Sequence, residues 1–423
     1  MTHRRPRAHR LAVAALVTLL AAGCGQVAGL LEQPPQVIVD NQGQRVTAIG
    51  LPDPVTQLPR EKKFDAVYAA FFPGRVVVHP GDTVFFKLDS RGEPHTIALG
   101  TLINRAGRQL DELGLLPLLT DSEAVPALAH IPSFFPLEPE DGEPIRVNRS
   151  AAEACYLQDG VPPNSMTGGA PPCASDNKPA FDGTQAFYSS GWLRDRKIFK
   201  VKLAEDIKPG TYHVMDLVHR STMRMKLVVR PKSWNLPNIK DRADDTRIEL
   251  VNQASRLKIS ATAAWTVTDP TRLVAGVGTP GSGSVVASFP HETTKLPVGG
   301  KATWTINGMH SITFNSPDNA DNGPLERSHG KVVANPDAWN PANSGNIPAA
   351  AQAWRTAGPL ITVNGGTYNG TGNQHSGILL GTTEAATTYT LTFTKPGTYN
   401  YHCVIHPVMT GKIEVGDKTP EDA

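Results

Sequence analysis

The feature that most limits what this chain can fold into is an internal duplication. Phe72-Pro73, Val76-Val77-Val78-His79-Pro80-Gly81-Asp82-Thr83-Val84 and Pro94-His95-Thr96-Ile97 run in order in the first half. Phe289-Pro290, Leu296-Pro297-Val298-Gly299-Gly300-Lys301-Ala302 and Met309-His310-Ser311-Ile312 run in the same order in the second. Each series reads as strand, glycine turn, strand, with a histidine opening the next strand. The correspondence continues from Phe181-Asp182-Gly183-Thr184 to Tyr368-Asn369-Gly370-Thr371, and from Ser190-Gly191-Trp192-Leu193 to Ser376-Gly377-Ile378-Leu379. Pro209-Gly210-Thr211-Tyr212 then matches Pro396-Gly397-Thr398-Tyr399. A repeat of roughly two hundred residues is a duplicated domain, since solenoid units are several-fold shorter.

Short alternating runs between Gly/Pro turns predict an all-β chain of two tandem Greek-key β-sandwiches. The abundance of Gly (38) and Pro (36) supports short strands over long helices. Expected boundaries are 35–232 for the first domain, 233–246 for a linker, 247–418 for the second domain and 419–423 for a tail. Within the second domain, 246–279 reads equally as an extra strand or a short helix. The first domain carries a long insertion at about 102–180. Its stretch 105–119 has helical apolar spacing at Leu110, Leu113 and Leu116. Its later half holds Cys155 and Cys173 on either side of a Gly/Pro-rich loop, which reads as a local disulfide.

The N-terminus is expected to be a targeting segment. Four arginines precede an apolar stretch at 11–22, long enough for a signal core and too short to cross a bilayer. The following Leu20-Ala21-Ala22-Gly23-Cys24 resembles a bacterial lipobox, although Ala21 stands where leucine is usual. The reading is a signal peptide over 1–23, a lipid on Cys24 and a tether over 24–34. An exported, cell-envelope protein held on the outer face of a membrane follows. Losing 1–23 removes four Arg and no acid, which turns the formal charge from +2 to −2. With Lys plus Arg at 41 and Asp plus Glu at 39, no basic excess argues for nucleic acid. Export also implies an oxidising compartment. There, with Cys24 lipidated and Cys155 paired to Cys173, Cys403 is a lone thiol open to oxidation unless something occupies it.

Cys403 sits in Tyr401-His402-Cys403-Val404-Ile405-His406-Pro407-Val408-Met409, a C-x2-H-x2-M run, with His310 about ninety residues upstream. One thiolate and two imidazoles can form a trigonal metal site, and a thioether adds a weak axial bond. The run resembles the cupredoxin (blue, type 1 copper) family, most closely its amicyanin and plastocyanin-like branch. The resemblance covers most of 285–416. It implies one type 1 copper per chain, held by Cys403, His310, His406 and Met409. It further implies that His406 is the ligand nearest solvent, with a redox protein docking near His406, Pro407 and Val408.

The first domain keeps His95, His219 and Met223 but has Asp216 at the cysteine position. Without a thiolate, blue copper chemistry is lost there. A scaffold that has shed its metal is the favoured reading, and a His/His/Asp site for Cu(II) or Zn is the other.

Two-domain relatives of the resembled family include copper nitrite reductases and laccases. Those enzymes need further histidines. This chain has no His-x-His pair, and Val404 breaks the His-Cys-His pattern. His130, His291, His329 and His375 are isolated and read as surface or turn residues. An electron carrier cycling Cu(I)/Cu(II) is therefore expected over an enzyme. Copper storage or delivery is disfavoured, because the 7 Met form no cluster beyond Met223 and Met225.

Overall fold

The structure is a computed structural model that describes residues 44–48, 65–88, 93–114, 125–134, 147–163, 173, 179–193, 197–265, 272–278, 284–317, 319–339, 361–381, 387–406 and 408–416. The signal segment, Cys24, the tether, Pro407 and the tail lie outside the described residues.

Alternation of side chains builds each sheet. Thr83–Leu88, Lys301–Ile306 and Thr387–Phe393 bury every second residue, the pattern of a strand with one face on a core. In the first domain one sheet orders Phe71–Phe72, Gln44–Ala48, Thr83–Leu88 and Ile198–Lys202. The other runs Arg75–Val78, Arg224–Val229, Gly210–Met215, Ala98–Leu99, Phe187–Ser189 and Cys155–Leu157. The second domain repeats this plan. Arg272–Ala275, Lys301–Ile306, Thr387–Phe393 and Ile361–Tyr368 form one sheet, and Thr293–Pro297, Thr410–Gly416, Gly397–His402, Thr313–Phe314 and Gln374–His375 the other. Pairing polarity repeats too. Arg75–Val78 runs parallel to Arg224–Val229, as Thr293–Pro297 does to Thr410–Gly416, and each partner forms an antiparallel hairpin with the strand before it. The chain is all-β, with two β-sandwiches and a partly helical insertion in the first.

The insertion helix spans Thr101–Leu113, starting earlier than its apolar spacing suggests. Its buried stripe is Leu102, Ile103, Ala106 and Leu110, packed toward the Gly210–Met215 strand, while Leu113 is exposed. Leu113 is the last residue of the helix. Cys155 and Cys173 form the disulfide.

The stretch expected as linker and ambiguous segment carries a helix over Ile239–Trp265. Leu250, Ala254 and Leu257 are buried at helical spacing, and Glu249 accepts a hydrogen bond from the Gly74 amide at 2.7 Å. No helix among the described residues is long and apolar enough to cross a membrane.

The two sandwiches are fused. Asp65–Val67 of the first pairs antiparallel with Val285–Ala287 of the second. Ala98, Met215 and Leu217 belong to one continuous apolar cluster with Phe289, Met309 and Met409. The loop ends that carry the candidate site therefore meet inside the molecule.

Candidate metal centre

In the second domain, His310 ends the strand Gly308–His310, and Cys403 follows directly on Gly397–His402. The loop that returns to Thr410–Gly416 holds His406 and Met409. It is closed by Met409 N–H to the His406 carbonyl (2.9 Å) and Cys403 N–H to the Met409 carbonyl (3.1 Å). His310, Cys403, His406 and Met409 are all buried. The donor atoms of His310, Cys403 and His406 lie within 4.8 Å of one another.

Cys403 Sγ is 3.9 Å from His310 Nδ1 and 3.6 Å from His406 Nδ1. An ion bound in a trigonal plane at about 2.3 Å from sulfur and about 2.0 Å from nitrogen would set them about 3.7 Å apart. The residues therefore fit a thiolate-imidazole metal centre. The sulfur also accepts the Ser311 amide at 3.3 Å, which favours the thiolate. Burial alone would raise the thiol, but His310 and His406 outweigh it and hold Cys403 well below the usual thiol range. Burial would lower His406, and Cys403 and Glu93 raise it to about 10. Without an ion, a thiolate–imidazolium pair thus supplies the balancing charge, and metal binding would expel that proton.

The first domain repeats three bonds of this scaffold. Asp216 N–H donates to the Met223 carbonyl (3.0 Å), as Cys403 N–H does to Met409. Thr96 N–H donates to Asp216 at 2.8 Å, as Ser311 N–H does to Cys403. Leu217 N–H reaches Thr96 Oγ1 (2.7 Å), as Val404 N–H reaches Ser311 Oγ (3.0 Å). His95, Asp216 and His219 are gathered as a second group of possible donors, and Met223 is buried beside them in sequence. The distances differ in kind. His95 Nδ1 and His219 Nδ1 lie 3.1 and 2.8 Å from Asp216 Oδ2, which are hydrogen-bond lengths. A bound ion would hold such atoms roughly 3.3–3.6 Å apart. Burial raises the Asp216 carboxyl, but His219 and His95 hold it far below the carboxylate range. His219, lowered by burial, is raised to about 10 by Asp216 and Glu93. Direct hydrogen-bond contacts fill the place that an ion would take in the twin.

Docking of the two domains corrects one expectation. His406 is fully buried, whereas its imidazole was expected nearest solvent. Its Nε2 lies 3.6 Å from Glu93 Oε1 of the first domain, and Glu93 Oε2 lies 3.6 Å from His219 Nε2. The domains face each other across one carboxylate. Val408 is half-buried and Pro407 lies outside the described residues.

His375 is a second correction, because it is buried and not a surface residue. Its Nε2 donates to the Ala338 carbonyl (2.9 Å), which fixes Nδ1 as acceptor for Thr313 Oγ1 (2.7 Å). Thr313 in turn takes the Ser311 hydroxyl at 2.9 Å, and Ser311 takes the Val404 amide. Burial pushes His375 down to about 4, in keeping with a neutral ring. The chain of bonds ties the backbone beside Cys403 to the core. Thr313→Val should cost about 1–3 kcal/mol by stranding two buried partners, measured by chemical denaturation. A cost near zero would mean the chain of bonds is not formed. His402 turns away to Asp321 (2.9 Å) and Ser316 (3.0 Å), outside the metal-donor group.

Glycine also shapes the site. Gly276 has φ +77°, and a Cβ there would lie 2.2 Å from both His310 Nε2 and the Asn307 carbonyl. Gly276→Ala should lose about 1–2 kcal/mol to left-handed backbone alone. By displacing His310 it should also weaken metal binding about tenfold or more. Unfolding midpoints and chelator competition would measure both, and an unchanged metal affinity would contradict this role. Sequence reasoning passed over Gly276, Ser311 and Glu93. The one available signal was a charged residue two places before the histidine in the first domain, where the second domain has Gly308.

No protein-family model matches the chain. Amicyanin of Paracoccus denitrificans is 63% identical over 27 residues, 6% of this chain and 21% of that protein. The chain thus spans about a fifth of the length of the curated relative it matches. Two solved amicyanin variants, a proline-to-glycine form with reduced Cu(I) and a methionine-to-alanine form with Cu(I), are similar at 19% and 18% identity. Each covers 36% of this chain and 89% of its own, with a TM-score of 0.18. The fold assignment rests on the chain's own sheets.

Proposed function

We propose that this protein is an exported copper-binding electron carrier, with one type 1 copper held by Cys403, His310, His406 and Met409. The observation that carries the reading is the buried Cys403 sulfur between two imidazole nitrogens at 3.6 and 3.9 Å. Copper bound there would supply a one-electron Cu(II)/Cu(I) couple. Cys403 gives a soft donor suited to Cu(I), and the two imidazoles suit Cu(II). The fused sandwiches hold these donors in one geometry, so little has to rearrange when an electron arrives. Met409 is buried and anchored through its backbone on both sides, and its thioether would supply the weak fourth donor. In the first domain Asp216 leaves a hydrogen-bonded scaffold with a partner-binding or structural role. Cys24 would carry the lipid that keeps the protein on the outer membrane face. With His406 buried, a redox partner would meet the molecule where the two site loops come nearest the surface, at Val408 and at partly exposed His219.

Loading the purified full chain with Cu(II), then recording its visible spectrum and metal content, tests the reading. An intense thiolate-to-copper band with one copper per chain is expected. No such band would overturn it. Turnover of nitrite or phenols would replace the carrier with an enzyme.

A further inference from the structure

Glu93 is a buried carboxylate belonging to one domain and aimed at a metal-donor imidazole of the other. Its side chain is 3% exposed, that of His406 is 0% exposed and that of His219 is 18% exposed. One carboxylate oxygen faces His406 Nε2 and the other faces His219 Nε2, each at 3.6 Å. On the far side of His219, Asp216 Oδ2 accepts from its Nδ1 at 2.8 Å. His95 Nδ1 shares that oxygen at 3.1 Å. Glu93 thus sets a carboxylate against His406 from across the domain boundary.

A histidine that binds a metal through Nδ1 directs its Nε2–H outward. A carboxylate on that N–H fixes the ring, raises its basicity and favours the more highly charged ion. In a lone sandwich that position would meet water. Here it faces the buried Glu93 carboxylate at 3.6 Å, an ion-pair distance at which burial weakens screening.

We infer that Glu93 is a positioning residue acting across the domain boundary, one that holds His406 in place and biases the copper toward Cu(II). The inference rests on the copper reading above. It also gives the first domain a function, since that domain carries the outer partner of the second domain's metal ligand.

The test compares full-length, copper-loaded wild type with Glu93→Gln and Glu93→Asp. Reduction potentials are read by voltammetry or spectroscopic redox titration, and Cu(II) affinity by chelator competition. Losing the charge should weaken Cu(II) relative to Cu(I) about tenfold, an upward shift of about 59 mV for a one-electron couple. Glu93→Asp keeps the charge on a shorter arm and should give a smaller shift in the same direction. If Glu93→Gln fails to fold, the aspartate variant decides. An intact thiolate band with unmoved potentials in the folded variants would overturn the role of Glu93 and leave the copper reading standing. A wild type without the band would overturn the copper reading itself.

Discussion

Replacing Cys403 by serine should abolish the intense visible band of the copper-loaded protein and lower its copper affinity by orders of magnitude. The fold should survive. Serine is nearly isosteric with cysteine, and its oxygen can still accept the Ser311 amide that now points at sulfur from 3.3 Å. What is lost is the ionisable soft donor. A serine hydroxyl stays protonated near neutral pH, so His310 and His406 would be left with only the weak Met409 thioether. The imidazoles would also lose the charge that raises His406 to about 10, since Cys403 is the first of its two raising partners. Absorption spectra, metal analysis and far-UV circular dichroism on one preparation separate the outcomes. A retained intense band would show that the thiolate is not the metal's ligand. Loss of both band and fold would assign Cys403 to the core alone.

Parts of this molecule are legible in sequence because their determinants are local or repeated. Cys403, His406 and Met409 share one loop, and His310 is found by its counterpart His95 in the duplicate. The same duplication exposes Asp216 as the altered position. Other parts depend on how separate elements dock. The Ile239–Trp265 helix buries Leu250, Ala254 and Leu257, yet Ile248 and Ile259 stay exposed on it and blur the apolar period. His375 is alone in sequence, and its partners Thr313 and Ala338 arrive from different segments. The burial of His406 is the largest difference, and it has the same origin. A sandwich read by itself places that imidazole at its edge, whereas here the edge is covered by the other sandwich. Glu93 acquires a role only through that docking, which no short spacing encodes.

Asp216→Asn should destabilise the first domain by about 3–5 kcal/mol, because it breaks a buried ion pair by removing one partner. The carboxylate collects the Thr96 amide and hydroxyl and the Val218 amide on one oxygen, and both imidazoles on the other. An amide can keep the first set. Its second group, the NH2, would then confront two N–H donors. The loss should vary with pH in a defined direction. Asp216 has a depressed carboxyl, so its contribution is present above the unfolded value of about 3.9 and fades only in strong acid. His219 is raised to about 10, so its contribution is complete below the unfolded value of about 6.5 and declines as pH climbs toward 10. The gap between wild type and variant should therefore be widest from about pH 4 to 6.5 and narrow toward pH 10. Glu93 also supports the His219 charge, so some of that charge persists without Asp216 and the narrowing should stop short of closure. Chemical denaturation at several pH values measures the gap. A gap that stays constant from pH 5 to 10 would mean that His219 is neutral in the fold, and that the first domain has not exchanged a metal for a proton-held ion pair.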